Sequence, residues 1–357
     1  MALTFSYPDL SRHPAFDNHE KILMAEDTDI GFKAYIALHN TKRGPARGGC
    51  RYWPHYNNDN DAINDVLRLS KGMTYKNALA NLQYGGGKTV IVGKAGTTNP
   101  DPSFMMALGH ALNELKGVYE TGEDVGTRLE DFKIAGSITD FVRVRSLEKA
   151  GVIDLPGGPP LYTAIGVYHG IKAAVKHKMG KDVLRDIRFA VKGLGSVATP
   201  LCALLHADGA QLTVADIDPA KVARAAKEWG AKIGHPDDIM FEDVDVYVPC
   251  ALGGDISAGS VDKITAKVIA GAANNQLASA DMADALKSRG ILYAPDYAIN
   301  AGGVINVVEI GASHEDLIAK LRHIGVTLDE IFKRADAEDK TTAEIADIIA
   351  LERIASL

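Results

Sequence analysis

The sequence predicts an α/β protein of two domains, and three observations carry that reading. The chain has 357 residues, and at roughly 100 to 200 residues per domain that length suggests about two. Its second half alternates short apolar segments with helical ones and lacks hairpin turns, the pattern of a parallel, doubly wound sheet. Between the halves, Gly151-Val-Ile-Asp-Leu-Pro-Gly-Gly-Pro-Pro160 is the clearest punctuation and marks a hinge.

The elements follow in order. Residues 31–40 are rich in strand formers and read as a strand, running into a breaker-rich loop from Thr41 to Gly49. From Asp59 to about Leu82 the apolar positions Ile63, Val66, Leu67, Leu69 and Met73 keep helical spacing, with Asn58 or Asp59 as cap. This helix or helix pair delivers the chain to Tyr84-Gly-Gly-Gly-Lys88. A strand over Thr89–Gly93, a helix over about 102–116 and a short strand from Tyr119 into a polar loop at Gly126 complete the first half. Beyond the hinge come a helix over about 160–179 and a strand over Ile187–Lys192. Further strands are expected at Gln211–Asp216, Val244–Pro249, Lys267–Gly271 and Ile291–Ala294. The tail from about His314 reads as helical, with Leu317, Leu321, Ile324, Leu328 and Ile331 on one face.

Composition excludes several classes. A net charge of −7 and the lack of any Lys/Arg run argue against a nucleic-acid partner. Apolar stretches such as Val268–Ala273 fall far short of the ~18–20 residues that span a bilayer, so no membrane is expected. The N-terminus lacks a basic region followed by an apolar one, so secretion is not indicated and a cytoplasmic protein is expected. Cys50, Cys202 and Cys250 are an odd set at wide spacings, fitting neither a disulfide framework nor zinc, and the histidines contain no HExxH; no metal is expected. The 35 glycines point to tight turns or close approach of backbone to ligands.

The most specific local signal is Gly193-Leu-Gly195-Ser196-Val197-Ala198, lying directly after one predicted strand and before an apolar helix. Gly193 permits the turn, Gly195 admits a pyrophosphate and Ala198 lets the helix pack, its N-terminal amides facing the phosphates. Asp216 closes the next strand, where a carboxylate accepts from a ribose 2′-hydroxyl and repels a 2′-phosphate, so the expected cofactor is NAD. Asp218 reads as the N-cap of a helix starting at Pro219.

Gly85-Gly-Gly-Lys88-Thr89 is not a phosphate loop, because position 82, where that motif needs glycine, is Leu82. The glycines instead let substrate and backbone come close beside a buried amine. Lys76 precedes Lys88 by twelve residues, and two ammonium groups facing one pocket lower the pKa of one of them, giving a base near neutral pH.

Taken together, Pro45-Ala-Arg-Gly-Gly-Cys-Arg51, Gly72-Met-Thr-Tyr-Lys-Asn77, Gly85-Gly-Gly-Lys-Thr89, Thr121-Gly-Glu-Asp-Val-Gly-Thr127, Pro249-Cys-Ala-Leu-Gly253, Ala270-Gly-Ala-Ala-Asn-Asn275 and Ala294-Pro-Asp-Tyr297 to Asn300-Ala-Gly-Gly303 resemble the Glu/Leu/Phe/Val amino-acid dehydrogenases, especially their leucine dehydrogenase branch. The match runs in order from about residue 31 to 308. The resemblance implies a substrate-binding and oligomerisation domain over 1–150, joined by C-terminal helices over about 328–357, and a Rossmann-type NAD domain over 151–327, with a cleft between them. It implies that Lys76, with the backbone at Gly48 and Gly49, binds the substrate α-carboxylate. Lys88 would activate water and stabilise the carbinolamine and imine stages, and Asp124 would shuttle protons at the amino group. Asn274 would order substrate and nicotinamide, and Thr163 would touch the carboxamide. Hydride would pass from the amino-acid Cα to NAD, giving a 2-oxo acid, ammonium and NADH.

Two features depart from the pattern. Arg47 stands where leucine-type members carry an apolar residue and glutamate-type members a lysine, while Val304, Val307 and Gly122 keep the pocket apolar and open. Arg47 either pairs with Glu120, leaving an apolar pocket for an aliphatic or aromatic amino acid, or lines the pocket and favours an acidic or polar one. The chain also ends at Leu357 without the basic tail of octameric leucine-type members, so an octamer does not follow and a homo-oligomer, a dimer or larger, is expected. A catalytically idle NAD-binding sensor is the non-enzyme alternative, disfavoured by the joint presence of Lys76, Lys88 and Asp124.

Overall fold

In the computed structural model the described residues are 3–143, 158–308 and 312–356. They form two compact units, one of Met1–Gly151 with Ala350–Leu357 and one of Val152–Ile349.

The first unit is built on a six-stranded mixed sheet. Its strands are β1 (Thr4–Ser6), β2 (Lys21–Asp27), β3 (Phe32–Asn40), β4 (Ala46–Trp53), β5 (Gly85–Val92) and β6 (Tyr119–Glu123), in the order β1-β2-β3-β5-β4-β6. The first pairings are antiparallel, whereas β4 runs parallel to both β5 and β6. Helix α1 (Asp59–Leu79) covers one face, burying Ala62, Val66 and Leu67 against Tyr35, Ala37 and Val90. Helices α2 (Pro102–Glu114) and α3 (Leu129–Gly136) belong to the larger core, in which Leu23, Phe32, Ile36 and Tyr119 meet Phe104, Leu108 and Phe132. Each large apolar side chain buried there contributes about 1.5–3 kcal/mol. Asn58 caps α1 by accepting from the Asp61 amide at 3.1 Å, which puts the helix start where the sequence places it.

Two segments are more extended than expected. Arg47-Gly48-Gly49, read as loop, belongs to strand β4, and Gly85-Gly86-Gly87, placed ahead of a strand expected from Thr89, opens strand β5. Glycine weakens an isolated strand, but here it admits close packing. A Cβ on Gly86 would lie 2.1 Å from the Thr74 amide nitrogen of α1, and one on Gly87 would lie 2.7 Å from the Tyr119 ring. The glycines let a helix and an aromatic ring press onto the sheet from its two sides.

The second unit opens with α4 (Gly158–Met179) and continues through β7 (Arg188–Lys192), α5 (Ala198–Ala207), β8 (Gln211–Ala215), α6 (Pro219–Trp229), β9 (Lys232–Ile233), β10 (Val246–Pro249) and β11 (Val268–Ile269). It then adds α7 (Met282–Ser288), β12 (Leu292–Tyr293), α8 (Asp296–Ile299), α9 (Gly302–Val308), α10 (His314–Glu338) and α11 (Thr342–Ala355), of which the residues from Ala350 belong to the first unit. All its strands are parallel, in the order β12-β11-β10-β7-β8-β9. The order reverses between β7 and β10, which is where ligands bind in such sheets. The return of the chain to the first unit, expected at about residue 328, comes at Ala350: α10 packs its buried Leu321, Ile324 and Leu328 in the second unit, beside α4. The hinge expected at 151–160 lies outside the described residues as far as position 157.

Replacing Gly86 by alanine sets a methyl group against helix backbone that cannot rotate away. The expected cost is about 1–3 kcal/mol, read as a lowered Tm in thermal unfolding followed by circular dichroism; an unchanged Tm would contradict the packing described.

Candidate active site

In a strand alternate residues share a face, so Arg47, Gly49 and Arg51 of β4 look the same way. Their parallel neighbours are fixed by register: Arg47 is opposite Glu120 and Gly49 opposite Gly122 on β6, while Cys50 is opposite Thr89 on β5. Lys88 therefore comes level with Gly49 on the other side. Its Nζ lies 2.6 Å from Asp124 Oδ2, the lysine side chain only 7% exposed. A Cβ on Gly49 would sit 2.8 Å from Asp124 Cβ and 3.4 Å from Lys88 Nζ, so the pair stands directly over that glycine.

Asp124 is held from its own loop as well. Its backbone N–H donates to Thr127 Oγ1 at 3.0 Å, and that hydroxyl reaches the Cys50 carbonyl at 2.9 Å. Burial raises the Asp124 pKa, but the Lys88 ammonium and the Arg51 guanidinium outweigh it and hold the carboxyl down at about 2. Asp124 is thus a carboxylate at neutral pH, placed to accept a proton.

Lys76 is in the last turn of α1 and half-buried, one turn on from Met73, whose Cγ would lie 3.1 Å from a Cβ on Gly48. Arg47 does pair with Glu120, Nη2 to Oε2 at 3.1 Å, and its guanidinium stacks over the Tyr84 ring at 4.6 Å. Glu120 takes a second cation, Arg143, at 2.9 Å. Three features were not read from the sequence: Tyr84 under Arg47, Arg143 on Glu120, and the link from Arg51 to Asp65. The period of two along β4 was the available signal for Arg51.

The second unit holds the other expected residues. Gly193 directly follows β7 with φ +92, and a Cβ there would meet Ala251 just beyond β10, at the point where the strand order reverses. Gly195 and Ser196 are exposed, with open space where a Gly195 Cβ would be, and Val197 leads into α5 at the buried Ala198. Beside this turn lies a cavity of about 500 Å³ lined by Gly195, Ser196, Thr199, Lys221 and Arg224. Open room at the second glycine, a helix N-terminus and flanking cations fit a dinucleotide pyrophosphate.

Asp216 Oδ2 accepts from the Leu194 amide at 2.6 Å and Oδ1 from the Asp218 amide at 2.8 Å. Burial opposes its ionisation, but these amides and Lys221 leave its pKa lowered. The carboxylate thus braces the glycine turn and keeps lone pairs for a ribose. Asp218 caps α6 through the Ala220 amide at 2.9 Å. Asn274 is exposed, its Oδ1 accepting from Asn300 at 2.7 Å, and Thr163 donates to the Pro159 carbonyl at 2.9 Å. Val304 and Val307 are half-buried on α9. Among the described residues no group of three His, Cys, Asp or Glu could hold a metal ion, and no helix is long and apolar enough to cross a membrane.

Comparison with known proteins decides the family. The model of the Glu/Leu/Phe/Val dehydrogenase dimerisation domain matches residues 19–138, and that of Glutamate/Leucine/Phenylalanine/Valine dehydrogenase matches 218–357. Leucine dehydrogenase of Geobacillus stearothermophilus is 44% identical over 95% of this chain and 92% of its own. The chain belongs to the Glu/Leu/Phe/Val dehydrogenase family. Phenylalanine dehydrogenase of Caldalkalibacillus thermarum is 39% identical over 94% of this chain and 91% of its own. The crystal structure of L-tryptophan dehydrogenase from Nostoc punctiforme superposes with a TM-score of 0.83 at 38% identity, covering 95% of this chain and 96% of that one. An amino-acid dehydrogenase of this family has the two-unit α/β architecture found here, with a Rossmann-like parallel sheet in the second unit.

Loss of one positioned acid–base group typically costs 10²–10⁴ in rate. Lys88→Ala and Asp124→Asn are each expected to lower kcat for amino-acid oxidation by about that factor. Steady-state assays check this, and turnover within about twofold of wild type in either variant would remove that residue from the chemistry.

Proposed function

We propose that this chain catalyses the reversible, NAD-dependent oxidative deamination of an L-amino acid with an apolar side chain, giving the 2-oxo acid and ammonium. The observation that carries the reading is the Lys88–Asp124 pair over Gly49, buried and 2.6 Å apart. In this reading Lys76 and the backbone of Gly48 and Gly49 hold the α-carboxylate. Asp124 accepts a proton from the substrate ammonium and returns it to the leaving amine. Lys88 holds the water that attacks the imine and offers its N–H to the oxygen that develops there.

Bound NAD would supply the hydride acceptor. Gly193, Gly195, Ser196, Val197 and Ala198 would hold its pyrophosphate, Asp216 its adenosine ribose, and Thr163 and Asn274 its nicotinamide end. Asp216 favours NAD over a cofactor with a 2′-phosphate.

The apolar preference rests on the charge balance at Arg47. An acidic side chain needs a cation free to meet it, and Glu120 lies 3.1 Å from this one. Gly122 on β6 brings no side chain, and Val304 and Val307 on α9 are apolar. The relatives named above for leucine, phenylalanine and tryptophan support the same substrate class. A cytoplasmic protein belongs to this reading, as does a homo-oligomer of two or more subunits, the latter supported by the dimerisation-domain match.

The test is a panel of L-amino acids with NAD at alkaline pH, followed by NADH absorbance. Turnover is expected with leucine, phenylalanine or tryptophan in preference to glutamate; a preference for glutamate would contradict the reading. Arg47→Leu leaves Glu120 with one cation in place of two. A lowered Tm is expected, with a change of less than about tenfold in the leucine-to-glutamate ratio of kcat/KM; a swing above about a hundredfold would make Arg47 the specificity determinant.

A further inference from the structure

Arg51 follows Gly49 by two residues on the same face of β4. Its Nε lies 3.5 Å from Asp124 Oδ2, the oxygen that Lys88 meets at 2.6 Å. Its Nη1 donates to Asp65 Oδ2 of α1 at 2.8 Å, and the same oxygen accepts from the Tyr56 hydroxyl at 2.5 Å. Four charges therefore alternate in a row: Lys88, Asp124, Arg51, Asp65. Their side chains are 7%, 24%, 23% and 26% exposed, so water screens them far less than it screens a surface pair.

The chemistry of the guanidinium suits this place. It stays charged, and its planar head meets two carboxylates at once, hydrogen-bonding Asp65 through Nη1 and facing Asp124 at ion-pair distance through Nε, which one ammonium on a flexible stem does not do with fixed geometry. Asp65 is itself anchored by α1. That helix carries Lys76 eleven residues later, about three turns on and hence on the same stripe. One helix thus bears both the proposed carboxylate anchor and the group that secures Arg51.

We propose that Arg51 is a positioning residue for the deamination, holding the Asp124 carboxylate over Gly49 and beside Lys88 while Asp65 secures Arg51 from the other side. The proposal rests on reading Lys88 and Asp124 as the reacting pair. The other titratable groups beside this row stay neutral: burial pushes the Cys50 thiol of β4 and the Tyr119 phenol of β6 well up, and burial together with Asp65 does the same to Tyr56. Asp131 of α3 adds a negative charge on the Cys50 side.

The sign of the effect follows. Removing Arg51 takes one cation from Asp124 and leaves Asp65 as an unanswered negative charge behind it. Asp124 then protonates at higher pH, and the midpoint of its carboxyl titration moves up.

The experiment measures kcat and KM, with NAD and whichever of L-leucine and L-phenylalanine turns over faster, for Arg51→Met, Arg51→Lys, Asp65→Asn and Lys88→Ala, and follows the Asp124 carboxyl midpoint in each folded Arg51 variant by carbon-detected NMR titration. Arg51→Met is expected to lower kcat about 10- to 100-fold, to leave the amino-acid KM within about threefold, and to raise that midpoint by about one pH unit. Arg51→Lys restores the midpoint but only part of kcat; Asp65→Asn gives a smaller loss of kcat. Wild-type kcat and midpoint in Arg51→Met overturn the proposal, as does a fall in kcat with the midpoint unmoved, the mark of a merely structural role. If Arg51→Met does not fold, Asp65→Asn decides: wild-type kcat there overturns the proposal. Intact turnover in Lys88→Ala overturns the reading of the reacting pair, an outcome no Arg51 variant enters.

Discussion

An ammonium and a carboxylate held 2.6 Å apart, largely out of water, over a residue with no side chain is the constraint on which the first unit depends. Desolvating two charges is costly unless geometry and further polar contacts return the energy. Several sequence features exist to meet that condition. Gly49 clears the floor, Thr127 ties the Asp124 loop to β4, and Arg51 lends a second positive charge to the same oxygen. The glycines of β5 serve it indirectly, since they let α1 lie close enough for Asp65 to reach Arg51.

The same rule of paired charge applies at Arg47. Of the two places the sequence leaves open for Arg47, the one beside Glu120 is found: it shares that carboxylate with Arg143 and stands over the Tyr84 ring. Such a cluster is fixed by its own contacts, with Tyr84 adding a cation–π attraction of about 0.5–2 kcal/mol. In the second unit Asp216 has a comparable double duty, bracing the glycine turn through the Leu194 amide while keeping capacity for a ribose.

Much of this was legible before any coordinates. Period-3.6 spacing from Asp59 gave α1, and strand–helix alternation gave the parallel sheet, because both patterns report burial directly. What escaped was decided by tertiary contact. Arg47–Gly49 and Gly85–Gly87 carry turn-like composition but are strands, since the packing of Thr74 and Tyr119 overrides local preference. Strand β2 and helix α3 were not read at all, and the chain's return to the first unit was set about twenty residues too early because α10 shows the same apolar stripe whichever unit it joins. Among site residues, motif flanks exposed Lys88, Asp124 and Gly193. Arg51 and Asp65 are fourteen positions apart, on β4 and α1, and the packing of that helix on the sheet brings them together.

The most direct test of the central ion pair is a carbon-detected NMR titration of the Asp124 carboxyl in the unliganded protein. The carboxylate is expected to stay ionised down to about pH 2, because its folded pKa lies below that of an unfolded aspartate. The stability this contributes is present above the unfolded value of about 3.9 and is lost as pH falls through the folded one. A midpoint at or above about 4 would contradict the account, since a carboxyl that titrates like a free one is not held by Lys88 and Arg51.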